Sequence, residues 1–327
     1  MTALSVLDLM MIGEGKVFAD TIADATMLAR HVESCGYRRY WIAEHHDLPG
    51  IASSATTLLI QHLAAATKRL RVGAGGIMLP NHSPLVVAEH FATLETLFPK
   101  RIDLGLGRAA GSAGSAIHAL RGDASERNFE ADIGLLEDYL RDNGRQPVRG
   151  IPGVHDVPLW MLGSSPQSAD LAAKRGLPYV FASHFAPRFL TNAVRHYREH
   201  FRPSAMLSEP YVIAGINVIA AESEAEAAYL ASSHFHWVNR LHQGRPGPLP
   251  LPEEGYLQSL SASEQRGLAQ AMACTVVGNR RQVGDGLRQF VEMTGADELI
   301  IDARIHDPSA RCRSYQLAAE SLDVRAA

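Results

Sequence analysis

Cysteine is scarce in this chain. The three present, Cys35, Cys274 and Cys312, are scattered and odd in number. They show neither metal-ligand spacing nor a disulfide framework. A basic excess is also missing: 31 Lys and Arg stand against 35 Asp and Glu, a net charge of −4. Nothing in that balance points to nucleic acid, and no polybasic run points to a membrane surface. No apolar stretch reaches the ~18 residues that argue for a membrane span. The N-terminal MTALSVLDLMMIGEG has no basic stretch ahead of its apolar run, so a secretory leader is not expected. The expectation is a cytoplasmic protein.

What remains is ordinary globular composition, 46% hydrophobic and 20% charged over 327 residues. The organising signal is alternation. Short apolar runs rich in β-branched residues take turns with longer amphipathic helical runs. The expected strands are Ser5–Met10, Tyr40–Ala43, Arg71–Gly76, Ile102–Gly107, Pro158–Gly163, Tyr179–Ser183, Val212–Ala220 and Glu298–Asp302. Helices are expected over Asp20–Cys35, from Ser53–Ser54 as N-caps to about Lys68, from Pro84, and over Glu126–Asp142. More follow over Gln167–Arg175, Pro187–Phe201, from Glu222, over Arg281–Thr294 and over Pro308–Leu322.

Parallel pairing of consecutive strands needs such crossovers, and strands this apolar are covered on both faces. The pattern favours an α/β fold of the closed (β/α)₈ TIM-barrel type, as a single domain over residues 1–327. An open doubly wound sheet is the alternative, but no G-x-G-x-x-G follows the first strand. One segment breaks the rhythm. HQGRPGPLPLPEEGY, from His242 to Tyr256, is too rich in proline and glycine for a helix or central strand. Residues 242–260 are expected to form a long insertion before the last helix–strand unit, mobile and acting as a lid.

Barrels of this kind carry their chemistry at the C-terminal strand ends. The second strand runs into Glu44, His45, His46 and Asp47. Those side chains suit a metal site, a proton-transfer site or a solvated loop. Alternation along a strand sends His45 and His46 to opposite faces, so a shared metal is not expected. A histidine facing the cavity is a natural proton donor or acceptor, while its neighbour packs beside it. Glycines recur at the third, fourth and fifth strand ends, at Gly73, Gly75, Gly76, Gly105, Gly107 and Gly163. Several on adjacent ends suggest that something flat lies across them; each alone could simply start a turn. GSSPQSA, residues 163–169, places Ser164, Ser165 and Ser168 around a helix start. Free amides there suit a phosphate, with Arg108 as a bidentate partner; plain helix capping is the alternative.

Taken together, YWIAEHH, RVGAGGIMLPNHSPLVVAEHFATLETLFPKRIDLGLGR and LWMLGSSPQSADLAAKRGLP resemble the bacterial luciferase-like flavin monooxygenases. The match covers about residues 5–185 in order and spacing, and the last third mainly in layout. It is nearest to the mensacarcin-type oxygenases of aromatic-polyketide antibiotic clusters. The resemblance implies a barrel that binds reduced FMN delivered by a separate flavin reductase. In the family, oxygen adds to flavin C4a, and the C4a-hydroperoxide epoxidises or hydroxylates an organic substrate. Here that substrate would be a secondary metabolite such as an aromatic polyketide.

By position, His45 would be the catalytic histidine. Arg108, Ser164, Ser165 and Ser168 would hold the flavin phosphate, with Gly107 beside the ring. The family's non-proline cis peptide would fall at Gly75–Gly76, facing the flavin. A homodimer through the second and third helices is implied as well. Two departures stand out: luciferases have a cysteine at Gly107 and a glutamate at Ser164. The first puts aldehyde-type light emission in doubt. The second rests phosphate binding on hydroxyls. Relatives of the same fold use F420 instead of FMN or bind flavin without catalysis, and both remain alternatives.

Overall fold

The computed structural model describes residues 2–109, 114–121, 128–141, 143–153 and 156–324. Among these, one parallel sheet holds β1 (Ala3–Asp8), β2 (Arg39–Ile42), β3 (Arg71–Met78), β4 (Ile102–Gly107), β5 (Leu159–Gly163), β6 (Tyr179–Phe181), β7 (Val212–Ala221), β8 (Thr275–Asn279) and β9 (Glu298–Asp302). β1 to β6 pair in chain order, β6 pairs with β7, β7 with β9, and β9 returns to β1. That closes a barrel on the eight expected strands. β8 was not expected. It lies outside the ring and pairs only with the upper half of β7, Asn217–Ala221.

The helices fall close to their sequence expectations, from Phe18–Ser34 to Pro308–Ser321. The helix expected over Glu126–Asp142 is described over Phe129–Arg141; residues 126, 127 and 142 lie outside the described set. One cap differs. The second helix starts at Thr56 with Ala55 as N-cap, and the Ser53 hydroxyl is buried without a partner. Ser53 contributes its carbonyl instead, accepting the His45 amide at 3.4 Å and the Thr56 hydroxyl at 3.1 Å. The turn thus serves the mouth of β2 rather than the helix. Among the described residues three helices are unexpected: Gly114–Arg121, Tyr256–Ser259 inside the insertion, and Ala262–Ala271 just after it.

The barrel interior is layered, as closure of alternating strands requires. At the bottom, Arg39 bridges Glu298 at 3.0 Å and Asp103 at 2.8 Å, and Arg71 reaches Asp103 at 2.6 Å. Arg39, Asp103 and Glu298 are buried, Arg71 half-buried, and all are mutually satisfied, the condition under which buried charge is tolerated. Above them lies an apolar layer of Leu7, Trp41, Trp160, Val180, Ile213 and Ile300. Trp41 ties the layers together by donating its indole N–H to Asp103 at 3.1 Å. The next inward positions up each strand form the mouth.

Candidate active site

Two neighbouring strands of the ring present no side chains inward. On β3 and β4 the inward positions are Gly73, Gly75, Gly105 and Gly107. A Cβ on Gly75 would lie 2.7 Å from Leu7 Cδ1 and 3.1 Å from Trp41 Cβ. A Cβ on Gly105 would lie 2.2 Å from the Ala74 carbonyl oxygen. Close approach of β4 to β3 thus requires glycine at 105, the Leu7 and Trp41 side chains require it at 75, and the consequence is a smooth wall. The register slips between Ala74 and Ile77, and the Gly75–Gly76 peptide within that bulge is cis.

Beside this wall stands the hydroxyl-rich helix start. Gly107 pairs with Leu162, so Arg108 follows directly beside Gly163. Arg108 is exposed and has no ion-pair partner among the described residues. Ser165 caps the helix Pro166–Arg175 by accepting the Ser168 amide at 3.4 Å. The Ser168 hydroxyl points back into the fold. It donates to the Ser165 carbonyl at 2.7 Å and meets the Tyr179 hydroxyl at 3.0 Å. Ser165 and Ser168 thus do the work of capping, while Ser164 is half-buried. An unpaired guanidinium beside a helix N-terminus, next to a wall that any Cβ would obstruct, fits a flat ligand with an anionic tail.

β2 ends at Ile42, and the next residues diverge. Glu44 turns toward the β3 mouth and is buried. Its Oε1 accepts His46 Nε2 at 2.9 Å and His82 Nε2 at 2.8 Å, and its Oε2 accepts the Met78 amide at 3.1 Å. Burial alone would raise its pKa; the His82 and His46 rings and the Met78 amide outweigh that and hold it below the usual carboxylate range. Spacing along the chain did not reveal this grouping, because His82 comes from another strand end. His45 goes the other way, into the barrel. Its Nδ1 is buried without a partner. Burial and the nearby Arg304 cation push the imidazole down to about 4, against the opposing pull of Glu44. His45 is therefore neutral near pH 7 and able to take up or hand on a proton.

The far half of the mouth, from β6 to β9, is polar. His184 follows β6, and its ring lies over Gly215 of β7. Asn217 and Asp302 are register partners on β7 and β9. Arg304 pairs with Asp302 at 2.7 Å and lies over the Trp237 ring, 4.7 Å from its centroid. Burial pushes His184 down to about 4; Asp302 opposes this, and Arg304 and His45 add to it. The sequence reading singles out neither Asn217, Asp302 nor Arg304 as site residues. The signal was there, since Ile300, Asp302 and Arg304 continue one inward-facing alternation.

Residues of the insertion cover this half. The Leu249 amide donates to the Ile12 carbonyl at 2.8 Å, and the Glu14 amide to the Leu249 carbonyl at 2.9 Å. Trp237 donates its indole N–H to the Gly247 carbonyl at 3.0 Å, and Leu249 is buried.

Comparison with known proteins agrees with this geometry. The family model for luciferase-like monooxygenase matches residues 3–298. A luciferase-like monooxygenase of Escherichia coli strain K12 is 47% identical, covering 99% of this chain and 97% of its own. The N-acetyl-S-alkylcysteine monooxygenase of Bacillus subtilis is 31% identical, covering 98% of each. The solved structure of apo-MsnO8 superposes with a TM-score of 0.88 at 35% identity, covering 99% of each chain. No helix among the described residues is long and apolar enough to cross a membrane. The chain belongs to the luciferase-like monooxygenase family and is an oxidoreductase of the monooxygenase type.

Proposed function

We propose that the chain is a monooxygenase that uses reduced FMN, supplied by a separate flavin reductase, and O2 to oxidise a small organic substrate. The observation that carries this reading is the smooth glycine wall of β3 and β4, with His45 beside it at the mouth of β2. When bound, the flavin supplies oxygen activation. The protein's own residues do the rest. Gly75, Gly76 and Gly107 leave room for the ring. Arg108 and the helix start at Ser164–Ser168 hold the phosphate. His45, neutral and inward, handles a proton beside the ring. The segment 242–260 serves as a lid that undocks to admit substrate and keeps water out when docked.

F420 is the competing cofactor. Its poly-glutamate tail calls for several basic groups along the cleft, and on the cofactor side of the described mouth Arg108 is the exposed cation. The substrate is proposed at the level of class. The resemblance favours an aromatic polyketide, and the Bacillus subtilis relative favours a thioether. The helices Thr56–Ala66 and Pro84–Leu97 expose Leu58 and Leu97, which supports pairing of two chains through this face.

The test is reconstitution with a flavin reductase, NADH, FMN and a panel of phenolic and thioether substrates. Oxygenated product should form with the native chain and fall steeply in a His45→Ala variant. Equal turnover in that variant would favour a flavin carrier without catalysis.

A further inference from the structure

The carboxylate of Glu44 takes hydrogen bonds from two neighbouring strand mouths at once. His46, at 2.9 Å, belongs to its own side. His82 at 2.8 Å, the Asn81 amide nitrogen at 3.4 Å and the Met78 backbone N–H at 3.1 Å belong to the segment leaving β3. That segment directly follows the Gly75–Gly76 peptide. Glu44 itself directly precedes His45. We propose that Glu44 is a positioning residue: its buried carboxylate fastens the β3 mouth, with its Gly75–Gly76 platform, to the β2 mouth, with His45. It thereby sets the gap into which a flat ring must fit. This deepens the flavin reading above and rests on it.

The residue type matters. A carboxylate offers acceptors on both oxygens, and here both face N–H donors. A glutamine accepts on one side only, so its own NH2 would confront a donor on the other. An aspartate is too short to span both mouths. A buried donor left unmatched costs enough to let a loop shift. The same three side chains, Glu44, His46 and His82, have ligand atoms within 4.8 Å of one another, as a divalent cation would need. The clamp accounts for them without an ion, because each ring N–H already has its acceptor and the Met78 amide occupies the second oxygen.

The experiment is anaerobic titration of Glu44→Gln, His82→Leu and the double variant with reduced FMN and reduced riboflavin. His82 is partly exposed, with 29% of its side chain accessible, so its replacement leaves the fold intact. Each single variant should weaken both flavins about tenfold, with the FMN-to-riboflavin ratio unchanged, because the clamp acts at the ring and not at the phosphate. The double variant should be no weaker than either single one, as members of one network behave. Native-like riboflavin affinity in both single variants, or simply additive losses, would overturn the proposal. Stoichiometric zinc binding lost in Glu44→Gln would overturn it too, in favour of a metal site. If the native chain binds neither flavin, the flavin reading fails by itself. The clamp is then read in the flavin-free protein from hydrogen exchange at the Met78 amide. Exchange should quicken in both Glu44→Gln and His82→Leu; unchanged protection in both overturns the clamp.

Discussion

The His184 ring rests on Gly215: a Cβ at that glycine would come within 2.4 Å of His184 Nδ1. One missing methyl group on β7 thus makes room for an imidazole inside the mouth. Gly215→Ala should push the ring off its seat and cost about 1–3 kcal/mol of stability, as overpacking does. Chemical denaturation measures the loss. Because Gly215 lies opposite the glycine wall, flavin affinity should be unchanged while turnover falls.

The neutral histidines make stability depend on pH. His45 and His184 both sit at about 4 in the folded chain, against ~6.5 when exposed. Between those values the unfolded chain binds more protons, so stability falls as pH drops through that window and is complete above it. Urea melts from about pH 7 down to about pH 4 should show that fall. His45→Gln should make it shallower, leaving the share of His184. An equally steep fall in the variant would mean that His45 titrates normally.

Arg108 should act on one end of the cofactor alone. Arg108→Met should weaken reduced FMN about tenfold, the scale of a charge-assisted hydrogen bond to phosphate. Reduced riboflavin should be unaffected. A ratio equal to that of the native chain would place the phosphate elsewhere.

The lid is testable through one glycine. Gly50 has a φ of +89°, and a Cβ there would strike the Gly247 carbonyl oxygen at 2.1 Å. Gly50→Ala should therefore lift the 242–260 segment from its dock. Hydrogen exchange at the Leu249 and Glu14 amides should quicken, while exchange in β3 and β4 stays slow. Unchanged protection at those two amides would show that the segment is held from elsewhere.

Much of this was legible in the sequence because it depends on local pattern. The eight barrel strands are apolar runs bounded by turns, and the glycines of β3 and β4 stand out where β-branched residues would be normal. β8 was not legible, since Thr275–Asn279 is short, half-buried and paired only with the overhang of β7. The Ser53 cap failed for a different reason. A serine before a helix is a generic signal, but here its carbonyl is committed to His45 and Thr56. Parity correctly separated His45 from His46 even though β2 stops short of both. It could not show where His46 went, because Glu44 and His82 are 38 residues apart in the chain. The partners of Arg304 were within reach of parity, had the last strand been followed past Asp302.

Anaerobic titration of the native chain with reduced FMN, set beside F420 under the same conditions, decides the question of what lies on the glycine wall. Saturable binding of one reduced FMN per chain, with F420 far weaker, is the expected outcome. Preference for F420, or no binding of reduced FMN at all, would mean that the wall of Gly75, Gly76 and Gly107 holds something else.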